Sequence, residues 1–369
     1  MLALDQGLDV VIGVDTHKHT HTAAALGSTG AVLDHLTVPA DPAGYRRLIA
    51  FGQRHQAALW AIEGTGSFGA GLTTALLAGR ERVVEVDRPQ RPVRRGGVKS
   101  DDIDAVRAAR QALAGVGLSE PRCRGEREAI RVLLATRGQA VEFRTRAISA
   151  LHALVTSAPD GVRERLRALP LGQLLRTCAG LRGSARQNAE EFATVVAMRS
   201  TARRALACEE EAAELETQLD GLVRQLAPEL LGQLGIGPVV AGQLIASWSH
   251  HGRVRSEAAF AKLGGVAPIE ASSGTVIRHR LNRSGDRQLN RALHTIVLVR
   301  MRQDPATKAY LQRRLAEGKT IREIKRCLKR YVARQLFRQL EALPPCLSGL
   351  RETRGVVPHP CRARADHVT

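Results

Sequence analysis

The sequence predicts an α/β unit at the N-terminal end, followed by a long and almost wholly helical remainder. Three observations predict it. Short β-branched and apolar runs crowd residues 10–87, at lengths typical of buried strands. Their order is three closely spaced strands, then helix and strand in alternation. From about Glu126 to Leu226 the chain becomes Arg- and Ala-rich, with apolar residues at helical spacing.

The first strand is Val10-Val-Ile-Gly-Val-Asp-Thr16, which ends in a carboxylate. His17-Lys-His-Thr-His21 makes a turn into a second strand over Thr22–Leu26, and Ser28-Thr-Gly30 turns into a third over Ala31–Pro39. Asp41 is an N-cap and Pro42 a first helical residue for a helix to about His55. Ala57–Glu63 is a fourth strand, again closed by an acid. Gly64-Thr-Gly-Ser-Phe-Gly lacks the Lys-Ser/Thr of a P-loop, so it reads as a tight turn holding Glu63 before a helix to about Ala78. Arg82–Asp87 is the fifth strand. A basic run with Arg88, Arg91, Arg94, Arg95 and Lys99 then leads to Ser100-Asp101-Asp102-Ile103-Asp104. Ser100 can cap a helix with acids in its first turn.

This is the strand order of an RNase H-like (RuvC-like) fold, in which acids from strands one and four and a late helix converge. Asp15, Glu63, Asp101 and Asp104 are the residues in those places. Asp101 and Asp104 are three apart and share a helix face, whereas Asp102 points elsewhere. Carboxylates with water and phosphate oxygens suit Mg²⁺ or Mn²⁺, and a metal pair can activate a nucleophile and stabilise a leaving oxygen in phosphoryl transfer. His17, His19 and His21 match Asp15 in strand parity. They read as a polar hairpin edge rather than as ligands.

Farther along, Ile130, Leu134, Val141, Ile148, Leu151 and Val155 keep helical spacing, and Leu215, Leu219, Leu222 and Leu226 approach an a/d pattern. Both point to a coiled coil or helical hairpin. Leu234-Gly-Ile-Gly-Pro238 before an Ala-rich helix resembles the hairpin of a helix-hairpin-helix element. The N–H groups at Gly235 and Gly237 could there hold a phosphate; a plain helix–helix turn is the alternative. Ser272-Ser273-Gly274 lies just before Arg278, Arg280, Arg283 and Arg287. A serine in such a field could attack a phosphodiester while arginines neutralise the developing charge; an ordinary loop is the other reading. The domains expected are 8–125 (α/β), 126–226 (helical), 227–345 (mostly α) and a poorly ordered tail over 346–369, rich in Pro, Arg and His.

Lys and Arg number 55 against 36 Asp and Glu, a formal charge of +19. That excess predicts a polyanion partner, nucleic acid by default, and argues against an actin-like sugar kinase, which shares the strand-end acids. Aromatics at 3% exclude a stacking platform as the main binding mode. Six scattered cysteines with no CxxC pair, and no signal peptide, read as reduced thiols in the cytoplasm. No apolar run has the length of a membrane span.

An ordered set of motifs now stands out: Ala61-Ile-Glu-Gly-Thr-Gly-Ser67, Glu85-Val-Asp-Arg-Pro89, Lys99-Ser-Asp-Asp-Ile-Asp-Ala105, Leu234-Gly-Ile-Gly-Pro238, Leu263-Gly-Gly-Val-Ala-Pro268, then Ser273-Gly and Arg283-Ser-Gly-Asp-Arg287. Over roughly residues 10–340 the chain resembles the IS-one-ten family of insertion-sequence transposases. The resemblance implies a RuvC-like DEDD domain, a coiled-coil region and a C-terminal transposase domain. It implies metal binding by Asp15, Glu63, Asp101 and Asp104, and Ser273 as the nucleophile that links to a DNA 5′ phosphate. It also implies a homo-oligomer, a dimer or tetramer, acting on donor and target DNA under a guide (bridge) RNA, in a prokaryotic cell at the nucleoid. The rival readings are a RuvC-like nuclease or junction resolvase using water, and a non-catalytic nucleic-acid-binding protein.

Overall fold

The computed structural model describes residues 9–86, 101–184, 187–272 and 279–343. The chain divides into two compact units that meet between Cys123 and Arg124.

The first unit opens with β1 (Val10–Thr16), β2 (Thr20–Gly27) and β3 (Val32–Pro39). Next come α1 (Pro42–Arg54), β4 (Leu59–Glu63), α2 (Ala70–Ala78) and β5 (Val83–Val86), and it closes with α3 (Asp101–Leu113) and β6 (Leu118–Ser119). The six strands form one sheet in the order β3-β2-β1-β4-β5-β6. β1–β2 and β2–β3 are antiparallel, β1–β4 and β4–β5 parallel, and β6 returns antiparallel to β5. The meander and the helix–strand alternation stand as the sequence predicts. The edge strand β6 was not foreseen, because two residues carry no period to read.

Both faces of the sheet are covered, which is why β1, β2 and β4 read as near-continuous apolar runs. On one face Ile12, Val14, Trp60 and Ile62 pack with Leu48 and Phe51 of α1 and Leu72 and Leu76 of α2. On the other, Val11, Leu59 and Ala61 pack with Ala105, Ala108, Ala109 and Ala112 of α3. The alanine stripe lets α3 lie very close. Gly13 makes the contact possible: a Cβ there would fall 2.5 Å from the Ala109 nitrogen and still nearer the Ala105 carbonyl oxygen. Strand and helix backbones touch at that point.

The second unit is built on two long helices, α4 (Glu126–Ser157) and α7 (Ala189–Leu226). Arg137 with Glu216 at 2.7 Å and Arg144 with Glu209 at 3.3 Å fix them as an antiparallel pair. Between them α5 (Asp160–Leu166) and α6 (Leu171–Ala179) close a small core of Leu151, Leu166, Leu174 and Met198. After α7 come α8 (Pro228–Leu231), α9 (Pro238–Trp248) and α10 (Glu257–Leu263). The strand pair β7 (Ile269–Glu270) and β8 (His279–Arg280) precedes α11 (Arg287–Gln303), α12 (Pro305–Ala316) and α13 (Ile321–Glu341). Of the leucines with a/d spacing, Leu219 is fully buried. It shares one core with Ile130 of α4, Leu244 of α9, Phe260 of α10, Leu293 of α11 and Leu336 of α13. That heptad face is therefore taken up inside the chain. Arg127, 4% exposed, ties the start of α4 to the end of α9 by donating to the Ala246 carbonyl from Nε (3.0 Å) and Nη2 (2.6 Å). Among the described residues no helix is long and apolar enough to cross a membrane.

Candidate active site and nucleic-acid interface

β1 and β4 run side by side with Val14 opposite Ile62. The next residue of each strand is an acid, so Asp15 and Glu63 stand abreast. By strand alternation both belong to the face of Val11, Leu59 and Ala61, the face that α3 covers. Asp15 is only 8% exposed. The strand ends are pinned together by the Thr16 hydroxyl, which donates to the Glu63 carbonyl at 2.8 Å. The turn after Glu63 closes by bonds from the Ser67 and Gly69 N–H groups to the Gly64 carbonyl, with Gly64 at φ 73°. This is the tight turn the sequence predicts. His17 reaches Asp15 through Nε2, 3.5 Å from Oδ2.

The helical acids divide. Asp101 is the first residue of α3; its side chain lies outside the described residues. Asp104 accepts a hydrogen bond from Arg107 at 2.6 Å. Asp102 points to His35 of β3, 3.9 Å away, and is 59% exposed. Among the described residues no group of three or more His, Cys, Asp and Glu side chains is close enough to hold a metal ion. What the structure does bring together is Asp15 and Glu63. Both are hard oxygen donors with no thiol between them, and that donor chemistry fits Mg²⁺ or Mn²⁺.

The histidine parity fails. β1 ends at Thr16 and β2 starts at Thr20, so the alternation does not run through the turn. His21 lies opposite Thr16, on the other face of the sheet from Asp15. It is no polar edge: it is fully buried and stacks on Tyr45 at 5.7 Å. Burial holds its pKa below the ordinary 6.5, against the opposing pull of the Thr20 carbonyl and assisted by His17. Its Nε2 has no hydrogen-bond partner.

In the second unit, the proposed nucleophile Ser273 and Arg278 lie outside the described residues, as do Arg88, Arg91, Arg94, Arg95, Lys99 and the tail. Ser272 is described and exposed. It follows β7, whose Ile269 and Glu270 pair with Arg280 and His279 of β8. The Ser-Ser-Gly segment therefore joins the two strands of a short arm. The root of that arm is an interlock that sequence reading missed. Gly265 (φ 64°) packs against the Ser284 carbonyl, and Gly285 (φ 100°) against the Leu263 carbonyl. The Asp286 N–H donates to the Leu263 carbonyl at 2.7 Å. The Asp286 carboxylate caps α11 through the Gln288 and Leu289 N–H groups and accepts from the Ser247 hydroxyl at 2.6 Å. The Leu-Gly-Gly and Ser-Gly-Asp motifs are thus two halves of one joint. The glycines themselves were the available signal, since glycine is the residue that takes positive φ at no steric cost, but they did not show that the two loops meet. Arg280, Arg283 and Arg287 are exposed around it.

The two glycines of Leu234-Gly-Ile-Gly differ. Gly235 (φ 86°) is pressed onto the α11 backbone at Ile296, where a Cβ would fall 3.2 Å from the Ile296 Cα. Gly237 precedes α9 with open space around it, leaving that helix start accessible. Arg300 clamps the turn by donating to the Leu234 carbonyl at 3.2 Å.

Comparison with known proteins matches a segment that holds each of these groups of residues. A family model described as a transposase, the DEDD type, matches residues 12–158, which contain Asp15, Glu63 and α3. The chain is thus of the transposase class. A second model, described as transposase of the IS116/IS110/IS902 family, matches residues 228–312, which contain the glycine joint. Together the two cover more than half of the sequence, and the chain belongs to the IS110 family of transposases. A curated relative, the insertion element IS110 uncharacterized 43.6 kDa protein of Streptomyces coelicolor, is 34% identical over 117 residues. That alignment covers 31% of this chain and 29% of the relative.

Proposed function

We propose that this chain is the recombinase of an insertion sequence, excising and integrating DNA by strand exchange. The observation that carries the reading is the pair Asp15 and Glu63, abreast at the ends of β1 and β4 on the face where α3 lies backbone to backbone. The sheet order β3-β2-β1-β4-β5 supports an RNase H-like, RuvC-like first unit, and α8, the Gly235–Gly237 turn and α9 support a helix-hairpin-helix. Asp15 and Glu63, with Asp101 and Asp104 of α3, would hold Mg²⁺ or Mn²⁺, which when bound supplies positive charge to the scissile phosphate.

In this reading the Ser273 Oγ bonds to phosphorus as the bond from phosphorus to the 3′ oxygen breaks. The 3′ oxygen leaves with a proton, and Ser273 is left esterified to the 5′ phosphate. Attack by the 3′ hydroxyl of an exchanged strand reverses the step, restores the serine and reseals the DNA without hydrolysis. Arg280, Arg283 and Arg287 would offset phosphate charge around the arm. Sequence choice would come from a guide (bridge) RNA. The protein would act as a homo-oligomer in the cytoplasm, at the nucleoid of a prokaryotic cell.

The test is excision measured in cells, with a trapped protein–DNA adduct as the second readout. Ser273→Ala is expected to lose excision by at least about 10³-fold together with the adduct, while Ser272→Ala keeps both. Asp15→Ala and Glu63→Ala are expected to be equally inactive. Full activity in Ser273→Ala would leave only the water-using nuclease, in which the carboxylate variants alone are dead.

A further inference from the structure

In the second unit a cavity of about 320 Å³ opens at the root of the β7–β8 arm. One wall is apolar: Val266, Ala267 and Pro268 from the loop before β7, Leu281 after β8, and Ile324 of α13. Cations make up much of the rest of the lining: Arg314 of α12, Lys319 ahead of α13, Arg326, Lys329 and Arg330 of α13, and Arg280 of β8.

Several of these groups are poised for an anion. Lys319, Arg326 and Arg330 take part in no ion pair among the described residues. Arg314 uses one guanidinium arm on Glu317, but its Nε is buried with no hydrogen-bond partner. Lys329 donates to the Asn290 side chain at 3.1 Å, and burial, with Arg326 beside it, pushes its ammonium pKa down. Glu323 is the one acid in the lining. Its Oε2 accepts from the Thr320 N–H and hydroxyl at 2.8 Å in a capping box, and its charge is felt by Lys319 and Arg326, leaving Arg314, Lys329 and Arg330 as the cations it does not engage. A mainly apolar cavity with several cations in its lining, at the low end of the size range for small-ligand sites, suits one nucleotide rather than a duplex. A duplex offers phosphates but keeps its bases stacked away from such a wall, whereas an unpaired strand can turn a base in.

We propose that this pocket receives an unpaired nucleotide of a single nucleic-acid strand. Its base lies on Val266, Pro268 and Leu281, and its phosphate is held by Arg314, Arg326 and Arg330. The inference rests on the nucleic-acid reading above and adds a single-strand site to it. Because Pro268 and Arg280 sit at the foot of the arm, such a site would hold a strand within a few residues, along the chain, of Ser272 and Ser273.

The experiment uses the full chain with labelled dT12, rU12 and a 12-base-pair duplex, at one fixed salt concentration, read by fluorescence anisotropy. Two variants probe the two kinds of lining: Leu281→Asp, at an already half-exposed side chain, and the double variant Arg326→Ala/Arg330→Ala. Thermal melting establishes that each is folded. The expected result is a roughly tenfold loss of single-strand affinity in both variants, with duplex affinity falling less than threefold. Preference for dT12 or rU12 then names a DNA strand or the guide RNA as the source. Single-strand binding that is absent in the parent, unchanged in the variants, or lowered no more than duplex binding would overturn the pocket. Excision by Ser273→Ala tests the recombinase reading separately, so failure of one does not imitate failure of the other.

Discussion

Asp15 and Glu63 sit in a sheet sealed on both faces, where their positions follow from backbone register. The residues around Ser272 are carried by a two-residue strand pair whose root is a joint between two glycine loops. The first arrangement is rigid because moving either acid would mean unpairing a central strand. The second is held at its root by backbone contacts, with Ser272 exposed. A carboxylate pair that must present fixed charges suits the first kind of support. The proposed serine nucleophile would be carried by the second. Position is set by buried sheet register in one unit and by a joint of two glycine loops in the other.

The widest test of that contrast is Gly13→Val. It inserts a branched side chain where β1 and α3 touch backbone to backbone, and overpacking at such a point costs about 3 kcal/mol or more. The two tryptophans separate the units: Trp60 is buried in the first and Trp248 in the second. In urea, Gly13→Val is expected to shift the Trp60 transition strongly and leave that of Trp248 in place. Excision should be lost, because the proposed ligands Asp101 and Asp104 ride on α3, which would no longer lie against the sheet. Next in size is Gly285→Ala, which places a side chain at φ 100° against the Leu263 carbonyl. A cost of about 2–3 kcal/mol is expected, now on the Trp248 transition. Equal shifts of both transitions in either variant would show that the two supports are not separate.

Much of the first unit was legible because its strands obey simple periods and end in acids, and because Asp41-Pro42 marks a helix start without help from tertiary structure. Glu63 could be placed since Gly64 announces the turn. Failures came where a rule was carried past its element. His21 shares parity with Asp15 on paper, yet the turn at residues 17–19 resets the alternation and sends it to the opposite face. Sequence also does not show that α11, some sixty residues later, packs on Gly235. The joint of Gly265 and Gly285 was hidden for the same reason: each loop is intelligible only with the other in place. The buried His21 gives a smaller prediction. The folded unit keeps it neutral, while the unfolded chain protonates near 6.5. Stability of the first unit should therefore fall as pH drops below about 6.5, by at most about 1.4 kcal/mol per pH unit. His21→Phe should flatten that slope on the Trp60 signal, and an unchanged slope would assign it to other groups.

The smallest expected effect lies within the acidic run that opens α3, and it discriminates most finely. Asp102, Asp104 and Asp101 are near neighbours in sequence, and a merely acidic helix start would use all three alike. The described side chains are not alike. Asp101 is the first residue of α3, and Asp104, one turn before the buried Ala108, is held by Arg107. Asp102 is more than half exposed and pairs with His35 of β3 at 3.9 Å, a type of pair that contributes little. Asp102→Asn should therefore change excision less than twofold and leave the Trp60 transition where it was. Asp101→Asn and Asp104→Asn should each abolish excision without unfolding the unit. If Asp102→Asn were as inactive as its neighbours, the run would be acting through its summed charge at a helix start, and the assignment of individual ligands on α3 would fall.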